Sequence, residues 1–244
     1  MITYDPFLKI FYSTKINDNH YISGFGTRAL GDARHIDNIF NFFNQAGIYY
    51  KTIVAPEQIH SVNIAVISEE VNINLKKVEE VDGLITKNSN TVLTIKTADC
   101  LPIIYVDKKN ELIGISHQGW RGSLKKMTQK MVIKMLELGS KLEDILIVFG
   151  PSIGNCCYNI DEDRYYSFLE EFDGYSDKIF HRQGGRRYLN LPLLNYLLLV
   201  DVGIPKKNID FFPFCTKCDR QRFFSFRRDK DKEYGEMLSF ILKK

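Results

Sequence analysis

Apolar positions recur along the chain with two periods, one near two residues and one near three to four, and the two interleave throughout. Residues 7–12 and 21–25 read as short strands. Residues 34–46 read as a helix with Ile36, Ile39, Phe40 and Phe43 on one face and Gly47 ending it. Residues 52–54 and 62–67 read as strands, and 91–96, 103–106 and 112–116 are rich in β-branched residues and read as strands too. The turn Asp107-Lys108-Lys109-Asn110 joins the last two as a hairpin. A long helix is expected from Gly122 to about Leu138, stopped by Gly139, followed by an apolar strand over 145–149. Further helices are expected over 162–172, 192–202 and 233–242, with a late strand over 223–226. Strand pairs interleaved with helices predict one α+β domain with mixed sheets over residues 1–244, not a Rossmann fold. The chain has no Gly-x-Gly-x-x-Gly and no Walker loop.

Composition narrows the function classes. A hydrophobic share of 44% and a charged share of 26% are ordinary for a water-soluble chain. A formal net charge of +3 is too small to argue for nucleic acid or an anionic membrane. The longest apolar run, residues 191–202, is interrupted by Pro192, Asn195 and Asp201 and is too short to span a bilayer. The five cysteines are an odd number, and the first ten residues carry Asp5 and Pro6 with no signal-like run. A reducing cytoplasm is therefore expected, with thiols free or metal-bound.

One cysteine and two histidines carry the candidate chemistry. They lie in Gln58-Ile59-His60-Ser61, Thr97-Ala98-Asp99-Cys100-Leu101-Pro102 and His117-Gln118-Gly119-Trp120-Arg121-Gly122, each at the end of an expected strand. Taken singly, Cys100 reads as a buried core thiol, and His60 and His117 as structural strand-end histidines. Three such residues at three strand ends weigh toward a shared site, since metal and nucleophilic sites draw their groups from separate elements. A thiolate and two imidazoles either bind zinc with an open fourth position or pair a nucleophile with its base. Arg121 opens the next helix, where an arginine suits a phosphate, although a surface role is the commoner one. Asp82, in Val81-Asp82-Gly83-Leu84-Ile85-Thr86, either orients a histidine or binds a hydroxyl, or serves as a turn residue. Cys215-Thr216-Lys217-Cys218 is weak evidence alone. Pairing it with Cys156 or Cys157 as a second metal site is disfavoured, since adjacent cysteines do not easily point at one metal. Phe223-Phe224-Ser225-Phe226-Arg227-Arg228-Asp229 joins aromatics to arginines, but too briefly for a nucleic-acid surface. His20, His35 and His181 lie in polar segments.

Together these segments, with Gly150 to Tyr158, resemble the YfiH family of polyphenol-oxidase or laccase-domain proteins, regarded as purine nucleoside phosphorylases. The resemblance runs from about residue 50 to the end. It implies a four-layer α/β/β/α fold with mixed sheets, like that of the cytotoxic necrotizing factor toxins. It also implies that His60, Cys100 and His117 meet at a zinc-binding catalytic site. Two departures stand out. Gln118 replaces the family's usual small residue, which predicts a narrowed or re-aimed pocket. After Thr27-Arg28, Ala29-Leu30-Gly31-Asp32 replaces a longer Gly-Gly-Val-Ser segment.

The resemblance implies phosphorolysis of purine nucleosides to base and ribose 1-phosphate, with adenosine deamination and action on methylthioadenosine beside it. Arg121 and Arg28 are the candidates for phosphate, and Asp82 or Asp99 for orienting a histidine or contacting substrate. Zinc is the expected cofactor and copper the less favoured one, because five histidines are too few for a multicopper oxidase. A metal-free cysteine hydrolase built on Cys100 and a histidine, and a non-catalytic cell-envelope accessory protein, are the other readings.

Overall fold

The computed structural model describes residues 1–69, 73–232 and 234–244. A seven-stranded sheet runs in the order Ile2–Asp5, Ile10–Ser13, Tyr21–Gly26, Met237–Lys243, Thr91–Thr97, Thr52–Pro56, Leu75–Val78. A six-stranded sheet runs Ile209–Asp210, Ile145–Phe149, Leu101–Asp107, Leu112–Gln118, Gly83–Thr86, Ile64–Ile67. Both are mixed. Thr52–Pro56 lies parallel to both neighbours, as Ile64–Ile67 does to Gly83–Thr86, while the hairpin Leu101–Asp107/Leu112–Gln118 is antiparallel.

The core lies in three apolar seams that stack four layers. Phe25, Val54, Leu93 and Ile241 of the larger sheet meet Leu84, Ile104, Ile113 and Val148 of the smaller one. On the outer face of the larger sheet, Ile39, Phe42 and Phe43 of helix Ile36–Gln45 pack on Ile53, Val92 and Phe240. On the outer face of the smaller sheet, Met127, Met131 and Met135 of helix Met127–Glu137 pack with Leu199 on Ile103, Tyr105 and Ile147. The expected α/β/β/α arrangement is therefore present. A satellite seam joins helices Glu162–Glu171 and Leu191–Asp201 to a small sheet of Asn159–Ile160, Arg186–Leu189 and Phe180–Gln183. The two helices start where their caps dictate: Asp161 accepts from the Arg164 N–H at 2.9 Å and Asn190 from Leu193 at 3.1 Å.

Three expectations from the apolar pattern are corrected. The chain over 237–243 is a strand, not a helix; residue 233, where the helix was to start, lies outside the described residues. Every residue of Met237–Lys243 is buried, because the strand sits between two others with both faces covered. Such a strand reads as a continuous apolar run, with no alternation to tell it from a helix. The chain over 223–226 forms no strand. Phe223 and Ser225 are buried and Ser225 caps a short helix, Phe226–Asp229. The long helix after Gly122 is two helices, Trp120–Leu124 and Met127–Glu137, parted at Lys126, whose φ of 59° is left-handed. Among the described residues no helix is long and apolar enough to cross a membrane.

Candidate metal centre and pocket

Strand register assembles the site. The hairpin pairs Gln118 with Leu101, so Cys100, just before one strand, lies beside Gly119, just after the other. On the far side, Ser116 pairs with Gly83, and the next residues, His117 and Asp82, meet through His117 N–H donating to the Asp82 carbonyl at 2.8 Å. Ile64–Ile67 runs parallel to Gly83–Thr86, which brings the 59–63 segment alongside Asp82. Three strand ends and one loop thus converge.

The ligand atoms of His60, Cys100 and His117 all lie within 4.8 Å of one another. The Cys100 Sγ is 4.0 Å from His60 Nε2, and the two imidazoles meet edge to face with centroids 4.8 Å apart. His117 is buried, Cys100 half-buried and His60 exposed, so the cluster opens to solvent on one side.

Asp82, with no exposed surface, organises the cluster. Its carboxylate accepts from His117 Nδ1 at 2.7 Å, from the backbone N–H of Ile59, His60 and Ser61 at 3.3, 3.1 and 2.6 Å, and from Ser61 Oγ at 2.7 Å. These bonds leave His117 Nε2 to face Cys100 and hold His60 in a left-handed conformation, φ 60°. Burial alone would raise the Asp82 carboxyl; donation from His117 and Ser61 outweighs it and holds the group below its ordinary value. Burial also opposes ionisation of Cys100, but the His117 charge and hydrogen bonds from both imidazoles bring the thiol down to about 7. Against its own burial, His117 is pushed up to about 10 by Cys100 and Asp82. Without a metal, the Cys100 thiolate and a protonated His117 favour one another, and the Asp82 carboxylate anchors the pair.

This donor set fits a metal ion. It offers one thiolate and two imidazoles, with the Asp82 bond fixing the ligating face of His117. Gly119 keeps the approach clear: a Cβ there would stand 2.8 Å from His60 Cδ2 and 3.2 Å from Cys100 Sγ.

Two cavities share His60, Ala98, Cys100 and Phe226 as walls. One, of about 300 Å³, adds the apolar and aromatic surface of Ile153, Tyr158, Leu191 and Trp120 and three arginines, Arg121, Arg164 and Arg227. The guanidinium groups of Arg121 and Arg164 each lie 4.4 Å from the Trp120 ring, and that of Arg227 lies 5.2 Å from the Tyr158 ring. Arg164 Nε is buried and has no hydrogen-bond partner among the described residues. The second cavity, of about 400 Å³, adds Gln58, Lys96, His117, Tyr234 and Glu236. Burial raises the Glu236 carboxyl above its ordinary value against the pull of Lys96 and Arg34.

The other expected site residues fall differently. Arg121 lines the first cavity. Arg28 lines neither; its guanidinium donates to the Arg220 carbonyl at 2.9 Å and stacks on Phe224. Asp99 orients no histidine. Its carboxylate is spent on Thr216 Oγ1 at 2.6 Å, Ser225 Oγ at 2.9 Å and the Arg227 N–H at 2.6 Å, which pins two loops beside Cys100 and holds Asp99 at φ 85°. Asp82 lines neither cavity and acts only through the cluster. Gln118 does not narrow the pocket. It points the opposite way from His117 along the strand and is fully buried. With its amide set to satisfy every neighbour, it donates to the Leu101 and Ser116 carbonyls and accepts from Ser116 Oγ and Tyr105 OH. Arg164 and Glu236 were missed. One is a single charge on a polar helix and the other lies inside the segment expected as the helix over 233–242, so neither carried a signal.

Fold and site together define a four-layer α+β protein that presents a Cys/His cluster of metal-ligand type between two cavities. Residues 26–244 match the family model described as multi-copper polyphenol oxidoreductase laccase, and the chain belongs to this laccase-domain family. It is 30% identical to adenosine deaminase RL5 of an unknown prokaryotic organism, over 80% of this chain and 77% of the relative. It is 36% identical to purine nucleoside phosphorylase YlmD of Bacillus subtilis, over 66% of this chain and 58% of that protein. The fold matches the crystal structure of the Bacillus licheniformis hypothetical protein YfiH with a TM-score of 0.83 at 30% identity, covering 92% and 93% of the two chains. It matches YlmD from Geobacillus stearothermophilus with a TM-score of 0.81 at 26% identity, covering 93% of each.

Proposed function

We propose that this chain is a zinc-dependent purine nucleoside phosphorylase with adenosine deaminase activity at the same site, and that residues 1–244 act as one domain. The observation that carries the reading is the opening of the His60–Cys100–His117 cluster onto a cavity lined by three arginines and aromatic rings. The names of the relatives, purine nucleoside phosphorylase and adenosine deaminase, support it.

In phosphorolysis a phosphate oxygen bonds to the ribose anomeric carbon, the glycosidic bond to the base breaks, and the departing base takes a proton. Arg121, Arg164 and Arg227 hold the phosphate and offset its charge. Trp120, Tyr158 and Phe226 give flat apolar surface for the nucleoside, and Ile153 and Leu191 exclude water. Glu236 lines the second cavity, and burial raises its carboxyl above the ordinary value, which suits it to hand a proton to the leaving base. Asp82 holds His117 by Nδ1 so that Nε2 faces the cluster. His60, Cys100 and His117 would hold a zinc ion, which would supply Lewis acidity and a water of lowered pKa for deamination. Copper-dependent phenol oxidation is not favoured, because of the five histidines only His60 and His117 stand at the cluster.

A second reading has a specific observation behind it. Asp82, His117 and Cys100 form an orienter–base–nucleophile chain, with the thiol already near 7. That is the arrangement of a metal-free cysteine hydrolase. Incubating purified protein with inosine and adenosine, with and without phosphate, and identifying the products tests the first reading. Phosphate-dependent release of hypoxanthine from inosine is the expected result. Full activity after metal removal would favour the cysteine reading, and no turnover of either nucleoside would end the proposal.

A further inference from the structure

We propose that Cys156, Cys157, Cys215 and Cys218 form a second metal centre, a closed tetrathiolate zinc site that clamps together the two loops walling the arginine-lined cavity. The four sulfurs lie within 4.8 Å of one another. Cys218 Sγ is 3.7 Å from Cys156 Sγ and 3.4 Å from Cys157 Sγ. Zinc–sulfur bonds of about 2.3 Å at tetrahedral angles set sulfur pairs about 3.8 Å apart, close to the two distances from Cys218 and within the span of the four sulfurs. A disulfide needs about 2.0 Å, and all four thiols are free.

The backbone is shaped for this. Cys157 and Tyr158 N–H both donate to the Gly154 carbonyl at 3.0 Å, a tight turn that brings two adjacent cysteines to the same side. That turn overrides the objection that neighbours in sequence point apart. Gly154 N–H donates to Cys215 Sγ at 3.2 Å, as backbone amides do to metal-bound thiolates. A Cβ on Gly154 would stand 3.2 Å from Cys215 Cβ and 3.4 Å from Cys156 Sγ, so the glycine keeps the cluster open. A bridge between Ser152 and Cys215 and the Thr216 N–H donating to Ser152 O at 3.0 Å align the two loops.

Four sulfurs and no oxygen ligand exclude magnesium and calcium and select a thiophilic ion. A span under 5 Å is too small to surround a multinuclear iron–sulfur cluster, and four protein ligands leave no open position. The site is therefore structural. It ties Ile153 and Tyr158, which wall the cavity, to Thr216, which anchors Asp99 beside Cys100. It also closes the chain over residues 158–214, which carry Arg164. The inference is independent of which nucleoside reaction the first cluster performs.

The test is elemental analysis of full-length protein prepared in reductant with zinc and then dialysed, as wild type, Cys100→Ala and Cys218→Ser. Cys100→Ala should keep about one zinc per chain, and Cys218→Ser should lose one relative to wild type. Because Cys218→Ser removes a structural ligand and is at risk of not folding, Cys100→Ala is also loaded with cobalt. Intense sulfur-to-cobalt charge transfer with tetrahedral visible bands is expected. The proposal is overturned if Cys100→Ala holds no metal, if iron stands in place of zinc, if its cobalt form lacks thiolate charge transfer, or if Cys218→Ser keeps the wild-type metal content.

Discussion

Replacing Asp82 by asparagine keeps the shape of the side chain and removes its charge and one acceptor. The carboxylate receives five donors, and an amide cannot receive them all. With the amide oxygen toward Ser61, the NH2 faces His117 Nδ1 and the His60 N–H. His60 then loses its partner, and His117 must move its proton to Nε2, the nitrogen that faces the cluster. With the oxygen toward His117, the Ser61 and Ile59 N–H groups lose theirs. A buried donor without a partner costs about 1–3 kcal/mol, and breaking one side of a buried charged pair costs about 3–5 kcal/mol. Metal affinity should fall about 10- to 100-fold, the usual effect of losing a partner that orients a ligating histidine. Urea unfolding of the metal-free protein should show a loss of about 3 kcal/mol or more. Competition with a chromophoric chelator should show the weakened zinc binding. An Asp82→Asn protein that unfolds within about 0.5 kcal/mol of wild type and binds zinc equally well would refute the organising role given to this carboxylate.

Three other outcomes follow from the same geometry. Alkylation of Cys100 in metal-free protein, followed by peptide mass spectrometry, should be half-maximal near pH 7, not near 9. The reactive thiolate is the form present above that pH, so the rate rises through it and levels off; a midpoint at 9 would show that His117 does not stabilise the thiolate. Arg121→Ala should weaken phosphorolysis more than deamination, by about 1.5–3 kcal/mol per lost charge-assisted bond, read as a raised phosphate requirement. An equal fall in both activities would place the phosphate on Arg164 and Arg227 instead. Gln118→Ala should cost about 1–3 kcal/mol in thermal or urea unfolding while kcat/KM stays within about twofold, since the side chain faces away from both cavities; a changed KM with unchanged stability would contradict that placement.

What the chain revealed before folding depended on how local each signal was. Helix Ile36–Gln45 and the hairpin around Asp107–Asn110 were legible because periodicity and turn chemistry lie within a dozen residues. The hairpin in turn explains why Cys100 stands next to Gly119. The strand Met237–Lys243 was read as a helix because its burial on both faces erases the alternation. His60, Cys100 and His117 were recognisable as a group at strand ends, but the role of Asp82 depends on register between Gly83–Thr86 and Leu112–Gln118. The four-cysteine cluster was discounted on local geometry. What joins it is a turn closed on Gly154 and a bridge across more than fifty residues, and no spacing rule contains either.

If the His60–Cys100–His117 cluster is a metal centre for phosphorolysis, turnover depends on the bound ion. The most direct measurement is phosphorus NMR of the protein with inosine and inorganic phosphate, before chelation, after chelation and after zinc is restored. A ribose 1-phosphate signal that grows with the native protein, stops on chelation and returns with zinc is the predicted result. A signal that never appears, or one that grows equally in the metal-free protein, would contradict the account.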